Sequence, residues 1–361
     1  MPRSVYIHIP FCRSICSYCD FSKMYYKKEW VGKYLEALKD EILDRYLDEP
    51  IKTIYIGGGT PSCLSIGEIK KLLEICQLFV LKEDAEFTFE CNLNDITEEI
   101  LYLLKMYHVN RLSIGIESFN EKNLLFLNRE HTFKEAEEKM TLIRRLGFSN
   151  VNLDLIYALP TEDESILKKD LKAFLKLNPE HISTYSLMIE PHTLLFKEKI
   201  KAISEDKDAL MYKTIIKILE KNGYEHYEVS NFAKEGKKSK HNLTYWNNEE
   251  YYGFGLGASG YIDDIRYTNT KNLGKYLEGS YHAEEEILSL KEVMDNEVML
   301  GLRKCEGLSK ALFYEKYHKT LEECYPIKPL LKNKELKEEN GYVFIPQDKF
   351  YVMNEILLKM I

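Results

Sequence analysis

The stretch Ser4-Val5-Tyr6-Ile7-His8-Ile9-Pro10-Phe11-Cys12-Arg13-Ser14-Ile15-Cys16-Ser17-Tyr18-Cys19 decides the reading of this chain. Its first six residues form a short apolar-rich run that reads as a buried strand. A loop with three cysteines follows, separated by three and then two residues. Thiols this close can converge on one inorganic centre. A structural zinc site would close with four protein ligands, and no fourth Cys or His lies nearby at finger spacing. A disulfide framework would leave one thiol over. A 4Fe–4S cluster fits best, with Cys12, Cys16 and Cys19 each holding an iron and the fourth iron open to a small molecule.

Outward from this stretch, apolar runs alternate with amphipathic helical patterns. Strands are expected at Ser4–Ile9, Thr53–Ile56, Glu86–Glu90, Arg111–Ile116, Asn150–Tyr157 and His181–Met188. Helices are expected behind them at Trp30–Leu47, Ser65–Phe79, Thr97–Tyr107, Phe133–Leu146, Asp163–Leu177 and Asp206–Asn222. Thr97 is a natural N-cap, with Glu98 and Glu99 in the first turn of its helix. Six strands, each followed by a helix, predict an α/β fold of parallel βα units. The helical crossovers would cover one face, giving a partial (β/α)6 TIM-like barrel two units short of a full one. The pattern changes near residue 230. We divide the chain into a barrel, 1–232, and a smaller C-terminal α+β, mainly helical domain, 233–361.

Composition bounds the function classes. The 361 residues are 45% hydrophobic and 30% charged, as in an ordinary globular protein. A formal net charge of −8 argues against nucleic acid as a partner, because phosphate binding needs clustered Lys and Arg. No apolar run is long enough for a membrane span, and a strand begins where a signal peptide would lie. Eight cysteines, three of them needed reduced, indicate the cytoplasm.

In a parallel barrel the active residues sit at the C-terminal ends of strands. Gly57-Gly58-Gly59-Thr60-Pro61 follows the second strand, where glycines let backbone approach a ligand. Glu90 ends the third strand, Glu117 ends the fourth, Asp154 lies in the fifth, and Arg129 follows the fourth. Carboxylates and one Arg at a mouth could hold a zwitterion and a ribose.

The cysteine spacing resembles the signature of the radical S-adenosylmethionine (SAM) superfamily. Further segments resemble the oxygen-independent coproporphyrinogen III oxidase family in order along the chain. They are Tyr6 to Cys12, Gly57 to Pro61, Ser113 to Phe119, Asn128 to His131, Asp154 to Pro160 and Glu228 to Ala233. The resemblance independently implies a six-unit partial barrel. It implies that Cys12, Cys16 and Cys19 bind the cluster, and that Tyr6, Gly58, Gly59, Thr60, Glu90, Arg129 and Asp154 contact SAM. Glu117 stands where the family usually has Gln, which keeps an acceptor and removes a donor. The cluster, supplied by an electron donor, would pass one electron to SAM and release a 5′-deoxyadenosyl radical. That chemistry belongs to the cofactor, and no catalytic side chain is assigned.

The family has an oxidase branch and a heme-chaperone branch. Oxidases have a fourth Cys where this chain has Phe21, and an extension before the first Cys, which here is at position 12. His241-Asn242-Leu243-Thr244-Tyr245-Trp246 is similar to a heme-binding motif of the chaperone branch, implying His241 as heme ligand. Read without the resemblance, the same residues cap a turn and pack into core. The chaperone branch usually has Gly-Ala-His-Ser-Tyr soon afterwards. This chain has Gly257-Ala258-Ser259-Gly260-Tyr261, so binding would rest on His241 alone. The resemblance implies a chaperone that binds the cluster, SAM and heme and delivers heme to apo-proteins. The alternatives are oxidative decarboxylation of coproporphyrinogen III to protoporphyrinogen IX, and radical chemistry on another tetrapyrrole.

Overall fold

The structure is a computed structural model that describes residues 1–361. Six parallel strands lie side by side in chain order: β1 (Ser4–Ile9), β2 (Ile51–Gly58), β3 (Leu81–Asn92), β4 (Arg111–Glu117), β5 (Val151–Tyr157) and β6 (His181–Ser186). Each is followed by a long helix: α1 (Lys28–Arg45), α2 (Ile66–Cys76), α3 (Glu98–Met106), α4 (Phe133–Arg145), α5 (Glu164–Leu177) and α6 (Glu205–Lys221). All six predicted βα units are present.

Side-chain alternation explains how the sheet is placed. In β5, Val151, Leu153 and Leu155 are fully buried on one side, and Asn152 and Asp154 alternate with them on the other. The apolar side packs the helices and the polar side faces inward. The helix starts are fixed locally. Thr97 accepts from the Ile100 amide at 3.2 Å, as its N-cap position predicts. Capping boxes open α2 at Ser65 and Glu68 and α4 at Thr132 and Glu135.

Three more strands extend the sheet. β7 (Glu225–Glu228) and β8 (Asn231–Ala233) add antiparallel beyond β6, and β9 (Tyr252–Phe254) adds parallel outside β1. The spatial order is β9-β1-β2-β3-β4-β5-β6-β8-β7, an open sheet with β9 and β7 at its edges. The division at 232/233 falls within β8.

Between β8 and β9, helix α7 (Lys240–Trp246) plugs the N-terminal end of the strands. Ser239 caps it, accepting from the Asn242 amide at 3.2 Å. Glu86 of β3 receives the amides of Lys240 and His241 at 3.1 and 3.0 Å, placing negative charge at the helix start. Thr244 meets Ser4 of β1 at 2.9 Å. The C-terminal segment continues through helix α8 (Leu290–Gly301) to a three-stranded sheet containing Tyr342–Phe344. One apolar cluster of 81 buried residues runs from Val5 to Met360, so this segment shares the barrel's core. No helix is long and apolar enough to cross a membrane.

Candidate functional site

The cysteine loop closes over the C-terminal ends of the strands. Phe11–Cys12 pairs in parallel with Met24–Tyr25, tying the two ends of the loop together. Ser17 donates its hydroxyl to the Phe126 carbonyl at 2.7 Å, and Asn128 donates to the Ile15 carbonyl at 3.0 Å. All eight cysteines are free thiols. Cys12, Cys16 and Cys19 line one wall of a cavity of about 530 Å³. The Thr60 hydroxyl donates to Cys12 Sγ at 3.4 Å. Burial pushes the Cys12 thiol up to about 11 and raises that of Cys19. Both are held protonated when no metal draws off the proton.

Gly58, Gly59, Thr60, Glu90, Glu117, Arg129 and Asp154 line the same cavity. Gly58 has φ +106°, and a Cβ there would stand 2.3 Å from the His8 ring. A Cβ on Gly57 would stand 2.5 Å from the Glu90 carboxyl carbon. The glycines therefore let Glu90 close down on the loop. Glu90 accepts from Tyr55 Oη at 2.6 Å and from the Gly58 amide at 3.0 Å, and burial pushes it up to about 7. Glu117 ends β4 at φ +68° and accepts from Arg129 at 2.8 Å and from Tyr18 Oη at 2.9 Å. Burial raises Glu117, and the Arg129 guanidinium opposes the rise. The carboxylate at the position where Gln is usual thus pairs directly with Arg129. Asp154 accepts from Asn152 Nδ2 at 2.8 Å. Tyr18, Tyr55 and Asn152 carry no motif of their own, so their sequence signal is weak.

Tyr6 and His241 stand apart from this lining. Tyr6 donates to His8 Nδ1 at 2.9 Å, because His8 Nε2 is spent as donor to the Ser22 carbonyl at 2.7 Å. His241 lies on α7 behind the cavity floor and is 1% exposed. Its Nδ1 meets Thr53 Oγ1 at 2.8 Å and its Nε2 meets Tyr245 Oη at 2.7 Å. The ring stacks on Tyr55, with centroids 5.1 Å apart. Burial lowers its pKa to about 3. Both ring nitrogens are engaged, so in this arrangement neither is open to a heme iron. Its neighbour Asn242 does reach the cavity.

The lining fits the groups that the cysteine spacing implies. Three uncrosslinked thiols line the cavity, with the glycine turn beside Cys12 and buried carboxylates in the same lining. No three His, Cys, Asp or Glu side chains are arranged as ligands of a single ion. A cluster held through three different irons does not require that arrangement.

Comparison with known proteins agrees with this geometry. The radical SAM superfamily profile matches residues 6–174, and the HemN C-terminal domain profile matches 288–347. The chain is 40% identical to a protein of Lactococcus lactis named heme chaperone HemW, with 100% of this chain and 97% of that one aligned. It is 37% identical to the protein of that name from Bacillus subtilis, covering 98% of each. Among solved structures it is similar to the Escherichia coli coproporphyrinogen III oxidase HemN, described as a radical SAM enzyme. That likeness has a TM-score of 0.85 at 23% identity and covers 99% of this chain and 89% of that one. It shows a shared fold. With full-length identity at this level, the chain belongs to the HemW family of radical SAM proteins.

Proposed function

We propose that this protein is a heme chaperone that binds a 4Fe–4S cluster, SAM and heme and passes heme to apo-proteins. The observation that carries the reading is end-to-end likeness to relatives named heme chaperone. Cys12, Cys16 and Cys19 would hold the cluster, which when bound supplies an electron to SAM. Gly58 and Gly59 bring backbone against SAM without side-chain bulk, and Thr60 follows them with its hydroxyl turned to Cys12. Glu90 and Asp154 offer acceptors for its ammonium and hydroxyls. Arg129 is held in place by Glu117, by Tyr18 and by the Gly115 carbonyl at 3.2 Å. Phe21, Tyr185 and Met188 line the cavity and are exposed, so the mouth offers an apolar face to a flat macrocycle. In this reading His241 acts through packing. It fixes α7 on β2 and so positions Asn242 at the floor.

The test is anaerobic. The reconstituted protein is titrated with heme, then offered coproporphyrinogen III, SAM and a reductant. Heme binding without protoporphyrinogen IX is expected. Formation of protoporphyrinogen IX would replace this reading with the oxidase one.

A further inference from the structure

Arg129 meets the cavity with most of its donors already spent. It lines the cavity, and its side chain is 13% exposed. Its Nη2 donates to Glu117 Oε1 at 2.8 Å and to Tyr18 Oη at 3.3 Å, and its Nη1 donates to the Gly115 carbonyl at 3.2 Å. Its Nε is buried without an acceptor. A guanidinium carries five N–H donors. Three are engaged and the one on Nε is sealed from the cavity, so a single Nη1 donor is left for a ligand. The two-pronged grip that an arginine gives a carboxylate is closed while Glu117 stays in place. Tyr18 Oη also donates to Glu117 Oε1, at 2.9 Å, so the cysteine loop braces Glu117 against Arg129. Around this pair the lining sets Glu90, Glu117 and Asp154 against Arg111 and Arg129, three carboxylates against two guanidiniums. An ammonium, a sulfonium or a hydroxyl suits such a lining. A ligand carboxylate meets a guanidinium that its own chain has already neutralised.

We propose that Glu117 is a specificity-determining residue, which competes with the carboxylate of SAM for Arg129 and so weakens the protein's hold on that end of the molecule. The proposal rests on the SAM reading above and is independent of heme. A glutamine at this position would keep an acceptor for Arg129 and Tyr18 and remove the competing charge. Arg129 would then keep its full charge for the ligand.

The experiment titrates SAM and decarboxylated SAM separately into the anaerobically reconstituted wild type, Glu117→Gln and Glu90→Gln. It is run at pH 8, because burial raises the Glu117 acid and the contrast needs it ionised. Whatever the open iron contributes is common to the three proteins and cancels in the comparison. Relative to wild type, Glu117→Gln is expected to raise the preference for SAM over decarboxylated SAM by about ten-fold, as the release of one charge-assisted bond implies. Glu90→Gln removes an equal charge but frees no donor of Arg129, and is expected to change the preference by less than about two-fold. Tyr18→Phe frees the Nη2 donor that Tyr18 now accepts. It is expected to shift the preference in the same direction by a smaller factor, and it serves if Glu117→Gln does not fold. An unchanged or lowered preference in Glu117→Gln would overturn the proposal and leave the SAM reading standing. An equal rise in Glu90→Gln would overturn it too, because overall charge and not the donors of Arg129 would then set the preference. A wild type that binds neither ligand would end the SAM reading and the proposal with it.

Discussion

Glu162 shows how one buried acid sets a pH dependence away from the site. It lies in the loop after β5, 8% exposed, and accepts from the Leu159 amide at 3.3 Å. Its Oε1 has no partner, and burial pushes the group up to about 8. An unfolded glutamate titrates near 4.5. Between those values the folded chain holds a proton that the unfolded chain has released. This group's contribution therefore falls as pH rises from 4.5 through 8, by up to about 1.4 kcal/mol per pH unit. Glu162→Gln removes that slope. The melting temperature of the variant, relative to wild type, should rise steadily between pH 5 and pH 8. A difference that stays flat over that range would mean that Glu162 is ionised in the fold.

At the scale of elements, α1 holds the chain's return to the sheet. Glu41 is fully buried on this helix and accepts from four donors: Arg45 at 2.7 Å, the Gly255 amide at 2.8 Å, Asn269 at 2.6 Å and Tyr276 at 2.6 Å. Three of those donors lie in or after β9. Glu41→Ala removes a fully buried acceptor from the part-buried Arg45, from the Gly255 amide, from Asn269 and from Tyr276, so it should cost about 3–5 kcal/mol in urea unfolding. Substitution of the exposed Leu43 two residues on should cost far less. The edge strand β9 was not legible in the sequence. Gly253 to Gly257 is glycine-dense and offers no apolar run of strand length. In the fold Gly253 lies where a Cβ would stand 1.9 Å from the Ser259 carbonyl oxygen, so the glycine permits strand contact. The six βα units, by contrast, were legible, since each pairs a short apolar run with a helical period.

Across the whole molecule, the two ends of one cavity were legible to different degrees. The cysteines, the glycine turn, Glu90, Glu117, Arg129 and Asp154 announced themselves because they end strands or form motifs. The floor did not. Arg111, Asn152 and Ser183 are polar positions inside apolar strands, and only the period of two in segments such as Val151-Asn152-Leu153-Asp154 hinted that they face inward. His241 carried a motif, yet the motif does not say which way a helix turns its ring. The same architecture separates the fold from its cluster. The cysteine loop is held by the Ser17 and Asn128 contacts, and its ends by backbone bonds from Met24 to Pro10 and from Tyr26 to the Cys12 carbonyl, each 2.8 Å. None of these uses a thiol. The triple variant Cys12→Ala, Cys16→Ala, Cys19→Ala should therefore lose its reconstituted iron and sulfide but keep its far-ultraviolet circular dichroism. Its urea midpoint should stay close to that of the metal-free wild type, since three thiol truncations at a partly open wall remove little buried area. Collapse of the secondary structure in that variant would mean instead that the thiols themselves organise the strand ends, and that folding and cluster assembly are one event.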